Sequence, residues 1–428
     1  MQKVYRVLVV PGGTEIGLEI FKALQPCKDI RLFSAGSDVS NHAPYVYANH
    51  FIMPSIHEAG WLVELNQIVA DNSIDYLFPA HDDVIVALAR NAEKLKARVV
   101  SSPLETCTLT RSKSATYRHL ESFLPVPMMY SCIDEVSSYP VFVKPDRGQG
   151  GQDTHMVSGA EQLHRLMEEE RGRIVLEYLP GEEYTVDCFS DRDAGLLFCS
   201  GRERMRIRSG ISMSSKVSAQ QDIFADYARI IGNRLAFHGA WFFQVKRNRQ
   251  GDLALLEIAP RIAGTMALPR VQGINLPLLS IYEQERLPLT LLVNHDCVQI
   301  DRALVNRYSH RIRYSTVYVD LDDTLILHDR VNIQVISFLY QCVNEGRKIV
   351  LLTKHDKDLG ATLAKFRLTG LFGDIVQIGK SDAKSEHIKE RDAILIDDSF
   401  SERKAASDRL GINTYDCSML EVLLDERR

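Results

Sequence analysis

Short apolar runs alternate with helical hydrophobic patterns over the first hundred residues of this 428-residue chain. The runs are rich in β-branched and aromatic residues, and they lie at Val7–Val10, Ile30–Phe33, Tyr76–Phe78 and Val99–Val100. Helical spacing fills the intervals, at Leu18–Leu24, Leu62–Ala70 and Val84–Leu95. Strands that alternate with helices in this way are typical of βαβ units, so the pattern predicts a parallel, Rossmann-like sheet up to about residue 105.

The pattern changes twice further along the chain. Residues 106–305 are richer in strand patterns and glycine loops, which indicates an α+β domain. After the polar, basic connector Asn306–Arg313, the segment Tyr314–Asp320 opens a new strand and the alternation resumes. We predict an α/β and α+β multidomain protein with domains at 1–105, 106–305 and 314–428.

Composition excludes several classes of function. The net charge of -5 argues against the strongly positive surface that nucleic-acid binding usually needs. No stretch reaches the roughly 18 apolar residues of a membrane helix. The eight cysteines include no C-x-x-C pair, which argues against a zinc site or a disulfide framework. We therefore expect a soluble, cytoplasmic protein without nucleic-acid or membrane partners; the number of copies that associate is left open, with a homo-oligomer as one option.

Two turns of the first domain follow strands. Gly12, Gly13 and Gly17 stand between a strand and a helix, where backbone NH groups can hold a phosphate. Their spacing differs from the dinucleotide pattern G-x-G-x-x-G, so a tight strand-to-helix turn is the favoured interpretation. The second turn, Pro79–Asp83, either lines a substrate cleft or caps a helix through Asp82 or Asp83.

A lysine and a glycine loop follow the strand Val141–Val143. Lys144 ends this strand, and the loop Asp146–Gly151, with glycines at 148, 150 and 151, comes directly after it. Such a loop can fold its NH groups over a polyphosphate while the ammonium group neutralises the charge. About thirty residues later, the segment from Glu177 through Tyr178 and Leu179 to Glu183 can offer backbone groups to an adenine and a carboxylate to a ribose; taken alone, it would be a hairpin.

Two strand patterns around a turn at Asn248–Asp252 predict a hairpin in which Gln244 and Glu257 face each other. One oxygen ligand from each side chain, completed by phosphate and water, would suit Mg²⁺. The alternative is a cross-strand polar pair without a metal. Arg261 lies just past the second strand, where its guanidinium could clamp a transferring phosphoryl group.

Four arginines recur with period two in one strand pattern, at positions 202, 204, 206 and 208. On a regular strand they would share one face. A cationic face would suit an acyl phosphate or an anionic substrate, and Arg204 and Arg206 are our candidates. A solvated strand face is the alternative for each of them.

The order of these parts resembles the ATP-grasp superfamily, which includes carbamoyl-phosphate-synthetase-like, biotin-carboxylase-like and D-alanine-ligase-like enzymes. The resemblance covers roughly residues 1–300 and implies a pre-ATP-grasp domain followed by an ATP-grasp domain. It implies nucleotide-binding lysines at Lys113 and Lys144, an adenine hinge at Glu177–Leu179, a ribose ligand at Glu183, and magnesium ligands at Gln244 and Glu257. The family usually continues Glu-x-Asn-Pro-Arg, whereas this chain has Ala259 in place of the asparagine, so a second magnesium site is in question.

The chemistry that this resemblance implies is carboxylate activation. A carboxylate attacks the γ-phosphate of ATP to give an acyl phosphate, and an amine then displaces phosphate. The implied cofactors are ATP and Mg²⁺, with Mn²⁺ as a substitute, and the implied partners are a small carboxylate and a small amine. Substrate binding is expected at Arg204, Arg206 and Arg261.

The run Val317–Leu325 is the most specific short motif of the chain. An apolar strand ends at Asp320, which can act as a nucleophile, and Asp322 can protonate the leaving group. In chain order there follow Thr353 at a strand end, Lys384 with Lys380 as its alternative, and Asp397 with Asp398 at another strand end, where the two carboxylates are expected to bind Mg²⁺. These parts resemble the haloacid-dehalogenase (HAD) superfamily, which implies an Mg²⁺-dependent phosphohydrolase with Asp320, Asp322 and Asp397 at the metal.

The sequence leaves no room for a large cap between Asp320 and Thr353, so this site should be open. The alternatives are a bulky phosphorylated substrate and a cover supplied by another domain, and the ligase product is one candidate substrate. Our leading hypothesis is a bifunctional biosynthetic enzyme, a ligase fused to a phosphatase. A second hypothesis keeps the phosphatase and reduces the ATP-grasp part to a nucleotide-binding regulatory module. A third is a scaffold in which both sites are silent.

Overall fold

The computed structural model describes residues 3–148, 150–169, 171–295, 297–425 and 427. The chain forms two compact units, Met1–Val305 and Asn306–Arg428. The first unit contains both of the predicted domains 1–105 and 106–305, and their division at residue 105 stays a prediction. Among the described residues, no helix combines the length and the apolar character that crossing a membrane requires.

The first unit opens with a five-stranded parallel sheet of order β3-β2-β1-β4-β5. Its strands are β1 (Tyr5–Val10), β2 (Ile30–Gly36), β3 (His50–Ile52), β4 (Tyr76–Pro79) and β5 (Arg98–Val99). Its helices are α1 (Glu15–Leu24), α2 (Ala43–Val46), α3 (Trp61–Asp71) and α4 (Asp82–Arg90), with a 3-10 turn at Ala92–Lys94. Val7 and Val9 pack into one buried cluster and Leu8 and Val10 into another, so the sheet is covered on both faces, as parallel sheets require.

The predicted helix at Val84–Leu95 is longer than the observed one. Asn91 follows α4 with non-helical backbone angles, and its side-chain amide donates to the carbonyl of Ala87. Asparagine is a poor helix former because its side chain competes for backbone groups. The helix therefore stops at Arg90.

Two helices and a small antiparallel sheet follow in the first unit. The helices are α5 (Leu104–Thr110) and α6 (Lys113–Leu120). The sheet has the order β6-β9-β7-β8, with strands β6 (Met129–Tyr130), β7 (Val141–Pro145), β8 (His155–Val157) and β9 (Arg173–Glu177). Helix α7 (Ala160–Glu169) covers one face through the buried side chains of Leu163 and Leu166.

A six-stranded antiparallel sheet completes the first unit, in the order β14-β13-β10-β11-β12-β15. The strands are β10 (Glu183–Asp191), β11 (Gly195–Arg208), β12 (Ile211–Val217), β13 (Gly239–Arg247), β14 (Leu253–Ala259) and β15 (Gln299–Asp301). The helices are α8 (Gln221–Gly232), α9 (Ala267–Val271) and α10 (Leu276–Gln284). Phe224 of α8 packs with Trp241 and Phe243 of β13 in a core on one face, which leaves the other face for the candidate site.

The second unit is built on a parallel sheet of order β20-β19-β16-β21-β22. These strands are β16 (Thr316–Val319), β19 (Lys348–Thr353), β20 (Asp374–Gln377), β21 (Ala393–Ile396) and β22 (Asn413–Tyr415), and a small hairpin of β17 (Ile326–Leu327) and β18 (Arg330–Val331) follows β16. The helices are α11 (Ile333–Asn344), α12 (Leu359–Lys365) and α13 (Phe400–Leu410), with 3-10 turns at Lys384–Glu386 and Cys417–Leu423. Because β16, β19 and β21 are neighbours and parallel, the residues after them meet at one edge of the sheet.

Candidate active sites

The two predicted nucleotide lysines of the first unit are held together through Asp146. Its carboxylate accepts from the hydroxyl of Ser112 and from the backbone NH of Ser114, each at 2.7 Å, and its carbonyl accepts from the NH of Lys113 at 3.1 Å. These bonds fix the N-terminus of α6 to the end of β7. Lys113 and Lys144 therefore open into the same space.

That space is a cavity of about 300 Å³ between the small sheet and the six-stranded sheet. Every residue predicted to bind nucleotide lines it: Lys113, Lys144, Gly148, Gly150, Gly151, Glu177, Tyr178, Leu179, Glu183 and Gln244, together with Glu257 and Arg204. Gln149 of the glycine loop lies outside the described residues. The geometry thus brings together side chains that are up to 144 positions apart, from Lys113 to Glu257.

Lys144 is buried, with 6% of its surface exposed. Its ammonium donates to the hydroxyl of Tyr117 at 2.9 Å, and that hydroxyl donates to the carbonyl of Leu256 at 2.7 Å. Burial lowers the pKa of Lys144 to about 7, and the charge of Lys113 acts in the same direction, although Glu257 opposes both. An anion bound here would therefore stabilise the charged form of Lys144, because it supplies negative charge that the surrounding protein does not fully provide.

Glu183 and Gln244 share one arginine. Arg204 donates to the carboxylate of Glu183 and, at 2.8 Å, to Oε1 of Gln244. Lys246 lies 3.5 Å from the other carboxylate oxygen of Glu183. The predicted ribose ligand is thus held by two cations.

Gln244 and Glu257 are direct partners across the β13–β14 ladder, as the sequence predicts. Among the described residues, the carboxylate of Glu257 accepts no hydrogen bond and forms no ion pair. A glutamate left in this state beside an amide oxygen suits Mg²⁺, which takes few protein ligands and completes its shell with phosphate and water. The residues present therefore fit a magnesium ion, while Ala259 adds no ligand.

The predicted adenine hinge is anchored to the strand beside it. The backbone NH of Glu177 donates to the carbonyl of Met128, and its Oε1 accepts from the NH of Met128, both at 2.9 Å. Apolar side chains that sequence reasoning missed form the walls around it: Pro127, Phe142, Leu176, Ile207 and Leu256. Pro127, Phe142, Leu176 and Leu256 lie in apolar segments that resemble core strands, and Ile207 stands between two arginines, so the sequence carries no signal that these residues line a site.

The prediction that four arginines share one face of β11 is wrong. The pairing of β11 with β12 slips between Arg204 and Arg206 and again before Ile207. Arg202 is buried against Asp187, and Arg204 lines the cavity. After the slip Ile207 lines the cavity in place of Arg206, and a β-bulge redirects side chains in this way.

The prediction that Arg206 binds the substrate is therefore corrected. Its side chain is 57% exposed and pairs with Asp301 at 2.8 Å. Arg208 is exposed as well. Of the two arginines chosen from the sequence, only Arg204 lies at the cavity.

A second cavity, of about 600 Å³, shares Arg204, Gln244 and Glu257 with the first. It reaches the first sheet at Thr14 and His81, and Arg261 lines it as well. Arg261 is not free to swing, because it donates to both carboxylate oxygens of Asp82, at 2.5 and 3.1 Å. Burial raises the pKa of Asp82, but the charge of Arg261 outweighs burial and the pKa is lowered.

The structure tests two of the alternatives predicted for the turns of the first sheet, the tight strand-to-helix turn and the helix cap. An added Cβ at Gly17 would lie 2.5 Å from the carbonyl oxygen of Gly12, so these glycines are needed for a tight strand-to-helix turn, and Thr14 caps α1. At the second turn His81 caps α4 by accepting from the NH of Asp83 at 3.2 Å. Capping by Asp82 or Asp83 is therefore wrong.

Asp83 is linked to the glycine loop through Arg111. Its carboxylate binds Arg111 at 2.8 Å, and Arg111 donates to the carbonyl of Gly148 at 3.3 Å. Lys113 donates to the same carbonyl at 3.1 Å. The first sheet thus anchors the loop that borders the 300 Å³ cavity.

In the second unit, a buried lysine joins two carboxylates. Lys384 lies 2.6 Å from Asp320 and 2.6 Å from Asp397. Burial raises the pKa of Asp320 to about 6, Lys384 opposes that rise and Asp397 adds to it. The alternative, Lys380, is exposed and pairs with Asp356 at 2.6 Å.

The possible metal cluster of the second unit contains the predicted Asp320 and both carboxylates predicted after β21, but not Asp322. Oxygen atoms of Asp320, Asp397 and Asp398 lie within 4.8 Å of one another and could hold a metal ion. The carboxylate of Asp322 instead contacts His355 at 2.9 and 3.0 Å. The expected metal ligation by Asp322 is therefore corrected, because its side chain is turned toward His355 in the loop after β19.

Thr353 ends β19, as predicted, and is fully buried. Its hydroxyl accepts from the NH of His355 at 3.1 Å. His355 is a residue that sequence reasoning missed, and a histidine two positions after a strand end gives little signal by itself.

Comparisons with known proteins agree with the architecture of the first unit. A family model described as "ATP-grasp in the biosynthetic pathway with Ter operon" matches residues 169–303, all within that unit. No curated protein matches the sequence.

Several solved structures have a similar fold. The biotin carboxylase domain of the Hydrogenobacter thermophilus 2-oxoglutarate carboxylase, solved with MgADP, ADP and bicarbonate, is 14% identical with a TM-score of 0.58, and the match covers 68% of this chain and 72% of that one. The N5-carboxyaminoimidazole synthetase of Staphylococcus aureus, complexed with ADP, is 16% identical with a TM-score of 0.57 and coverages of 69% and 80%. The L-amino acid ligase of Bacillus licheniformis is 15% identical with a TM-score of 0.52 and coverages of 66% and 74%. The chain therefore contains the ATP-grasp fold, and together with the family model these likenesses support an enzyme of the ATP-grasp ligase type.

Proposed function

We propose that the first unit is an ADP-forming carboxylate–amine ligase of the amino-acid type that works through an acyl phosphate. The observation that carries this proposal is the convergence of Lys113, Lys144, Glu183, Gln244 and Glu257 on one cavity. The chemistry needs little more than positioning and charge neutralisation, which is the inventory these side chains offer.

Each part of the two cavities has a role in this proposal. Lys113, Lys144 and the glycine loop hold the phosphates of ATP, and the Glu177–Leu179 segment holds the adenine. Gln244 and Glu257 hold Mg²⁺, or Mn²⁺ in its place, which would neutralise charge on the transferring phosphoryl group. Arg204 stands between the two cavities and would bind the acyl phosphate.

Arg261 has a narrower role than a mobile clamp. Its guanidinium is fixed by Asp82 and by the carbonyl of Ile262, to which Nη1 donates at 3.0 Å, so it borders the second cavity without moving. A preorganised donor of this kind stabilises charge that develops during the reaction without a cost of reorganisation. The carboxylate and amine substrates would bind in this second cavity, between Arg261 and the first sheet.

The test is ADP release from ATP and Mg²⁺ in the presence of pooled amino acids, supplied both as carboxylates and as amines. We expect release that depends on both substrates and is lost in Glu257→Gln, which keeps the size of the side chain but removes its charge. ADP release at background in every pool, with ATP still bound, would reject the ligase.

For the second unit we propose an Mg²⁺-dependent phosphohydrolase of the HAD type, with Asp320 as nucleophile, Asp322 as acid and base, and Thr353 and Lys384 at the phosphate. The shared edge of Asp320, Lys384 and Asp397 supports this assignment. A phosphorylated substrate or product of the ligase is the candidate substrate. Hydrolysis of p-nitrophenyl phosphate with Mg²⁺, and its loss in Asp320→Asn, is the measurement that checks it.

A second candidate function is favoured by Ala259. With only Gln244 and Glu257 as magnesium ligands, the first unit would bind nucleotide and regulate the phosphatase without forming a bond. The two candidates differ in one result: phosphatase activity that changes on addition of ATP, without release of ADP, supports regulation over ligation.

A further inference from the structure

His355 is fixed at the mouth of the second unit's site. It is 8% exposed and follows Thr353 at the end of β19. Its backbone NH donates to the hydroxyl of Thr353 at 3.1 Å, and its carbonyl accepts from the side-chain amide of Gln377 at 2.8 Å. The backbone is thus bonded on both sides, so the ring has little freedom to move.

Both nitrogen atoms of the ring have partners. Nδ1 lies 2.9 and 3.0 Å from the two carboxylate oxygens of Asp322. Nε2 lies 3.0 Å from the hydroxyl oxygen of Thr362. That hydroxyl also lies 2.9 Å from the carbonyl of Asp358, to which it can donate.

These contacts fix the ring between Asp322 and Thr362. With its proton on Nδ1, the neutral ring donates to the carboxylate of Asp322, and Nε2 can accept from the hydroxyl of Thr362. The Asp322 side chain is 53% exposed, so it is open to solvent and to a substrate while His355 sets its orientation.

We propose that His355 is a positioning residue that holds the carboxyl group of Asp322 in the orientation in which Asp322 exchanges protons with the leaving oxygen of a phosphate ester and with water. This inference rests on the proposed phosphohydrolase. Asp320 attacks phosphorus and the bond from phosphorus to the ester oxygen breaks, while a proton passes from Asp322 to that oxygen and the alcohol leaves. Water then cleaves the phosphoaspartate, a proton of that water passes to Asp322, and inorganic phosphate is released.

The test compares two esters of similar shape, phenyl phosphate and p-nitrophenyl phosphate. Phenolate is a poor leaving group and needs a proton, whereas p-nitrophenolate leaves without one. We expect His355→Leu to lower kcat/KM for phenyl phosphate by about 10²-fold, the scale of general acid catalysis, and for p-nitrophenyl phosphate only a few-fold. Asp322→Asn should give the same selective pattern, more strongly.

A second variant separates positioning from packing. The amide of His355→Gln can still donate to Asp322, so it should recover part of the activity on phenyl phosphate that His355→Leu loses. If His355→Leu does not fold, the ester contrast is measured on His355→Gln, where a selective loss smaller than that of Asp322→Asn is expected.

Two outcomes would overturn the inference, and they are distinguishable. Equal losses on both esters would give His355 a merely structural role while leaving the phosphohydrolase intact. Failure of the unaltered protein to hydrolyse either ester with Mg²⁺ would reject the phosphohydrolase itself and the inference with it.

Discussion

Each unit buries one lysine at its candidate site, and the two lysines have opposite surroundings. Lys144 of the first unit faces the hydroxyl of Tyr117, and burial lowers its pKa to about 7. Lys384 of the second unit lies between Asp320 and Asp397; burial lowers its pKa, but the two carboxylates outweigh burial and raise it. One site is short of negative charge, and the other supplies its own.

The difference between the two lysines indicates which kind of ligand each site would bind. A buried ammonium without an anion is stabilised by a ligand that carries negative charge, such as a triphosphate. A lysine already held by two carboxylates has no such need, and the three neighbouring aspartates instead leave an excess of negative charge for a metal ion. The five predictions below test this contrast, from the largest expected effect to the smallest.

Asp320→Asn should abolish the activity of the second unit, whose site supplies its own negative charge. Loss of the nucleophile is expected to lower phosphate ester hydrolysis by at least about 10³-fold, as removal of a nucleophile generally does. Steady-state hydrolysis of p-nitrophenyl phosphate measures the loss. ATP binding by the first unit should stay unchanged, and a parallel drop there would contradict two independent sites.

Lys144→Met should remove the buried positive charge that we expect to contact the phosphates of ATP in the first site. We expect ATP-dependent ADP release to fall by about 10²-fold, because a preorganised cation near the transferring group is lost. Phosphatase activity is the internal control. Unchanged ADP release would mean that Lys144 does not meet the phosphates.

Arg204→Met and Arg206→Met form a matched pair across the bulge in β11. Loss of hydrogen bonds to a charged group costs about 1.5 to 3 kcal/mol, so Arg204→Met should reduce kcat/KM for ADP release by roughly 10- to 100-fold. Arg206→Met, on an exposed side chain, should stay within about twofold. Equal effects of the two substitutions would support the original prediction that both arginines lie on one face of β11, and would contradict the change of face at the bulge.

ATP binding should take up a proton above neutral pH. Lys144 has a pKa of about 7 without ligand, and the phosphates of ATP raise it, so above pH 7 the free protein lacks a proton that the complex holds. Affinity should therefore fall as pH rises from 7, approaching about tenfold per pH unit. Calorimetry in buffers of different ionisation enthalpy measures the uptake, and Lys144→Met should abolish it.

Ala259→Asn should have the smallest effect and tests the metal side of the first site. An added amide oxygen beside Glu257 should lower the Mg²⁺ concentration for half-maximal ADP release by a few-fold. Ala259→Leu, of similar size but without a ligand atom, controls for packing against Phe242 and Ala263. A shift of the same size in both variants would rule out metal coordination by the new asparagine.

The sequence predicts those parts of both sites that lie at strand ends. Lys144 and Glu257 lie near the ends of the apolar strands β7 and β14, and Asp320 follows β16 directly. Residues at the ends of strands are brought to the edge of a sheet, where ligands bind. The short turn predicts the hairpin itself, but the register shifts between Gln244 and Val245, so the facing of Gln244 and Glu257 also depends on an irregularity that the turn does not determine.

Contacts between distant segments were not predictable in this way. Tyr117 reaches Lys144 across 27 positions and His355 reaches Asp322 across 33, and neither residue type carries a signal for its partner. The face of Arg206 was predicted wrongly because period-two reasoning assumes an uninterrupted ladder, and a bulge is set by the neighbouring strand.

The ion pairs of Asp82 and Asp83 have a consequence for building chimeric enzymes. Both aspartates belong to the predicted domain 1–105, while their partners Arg261 and Arg111 belong to 106–305. A splice at residue 105 that brings in a foreign N-terminal segment would leave two largely buried guanidinium groups without counter-ions, a change that costs several kcal/mol when one partner of a buried pair is lost. A successful graft must therefore carry an aspartate pair at the start of the equivalent helix, or replace both arginines together with the segment.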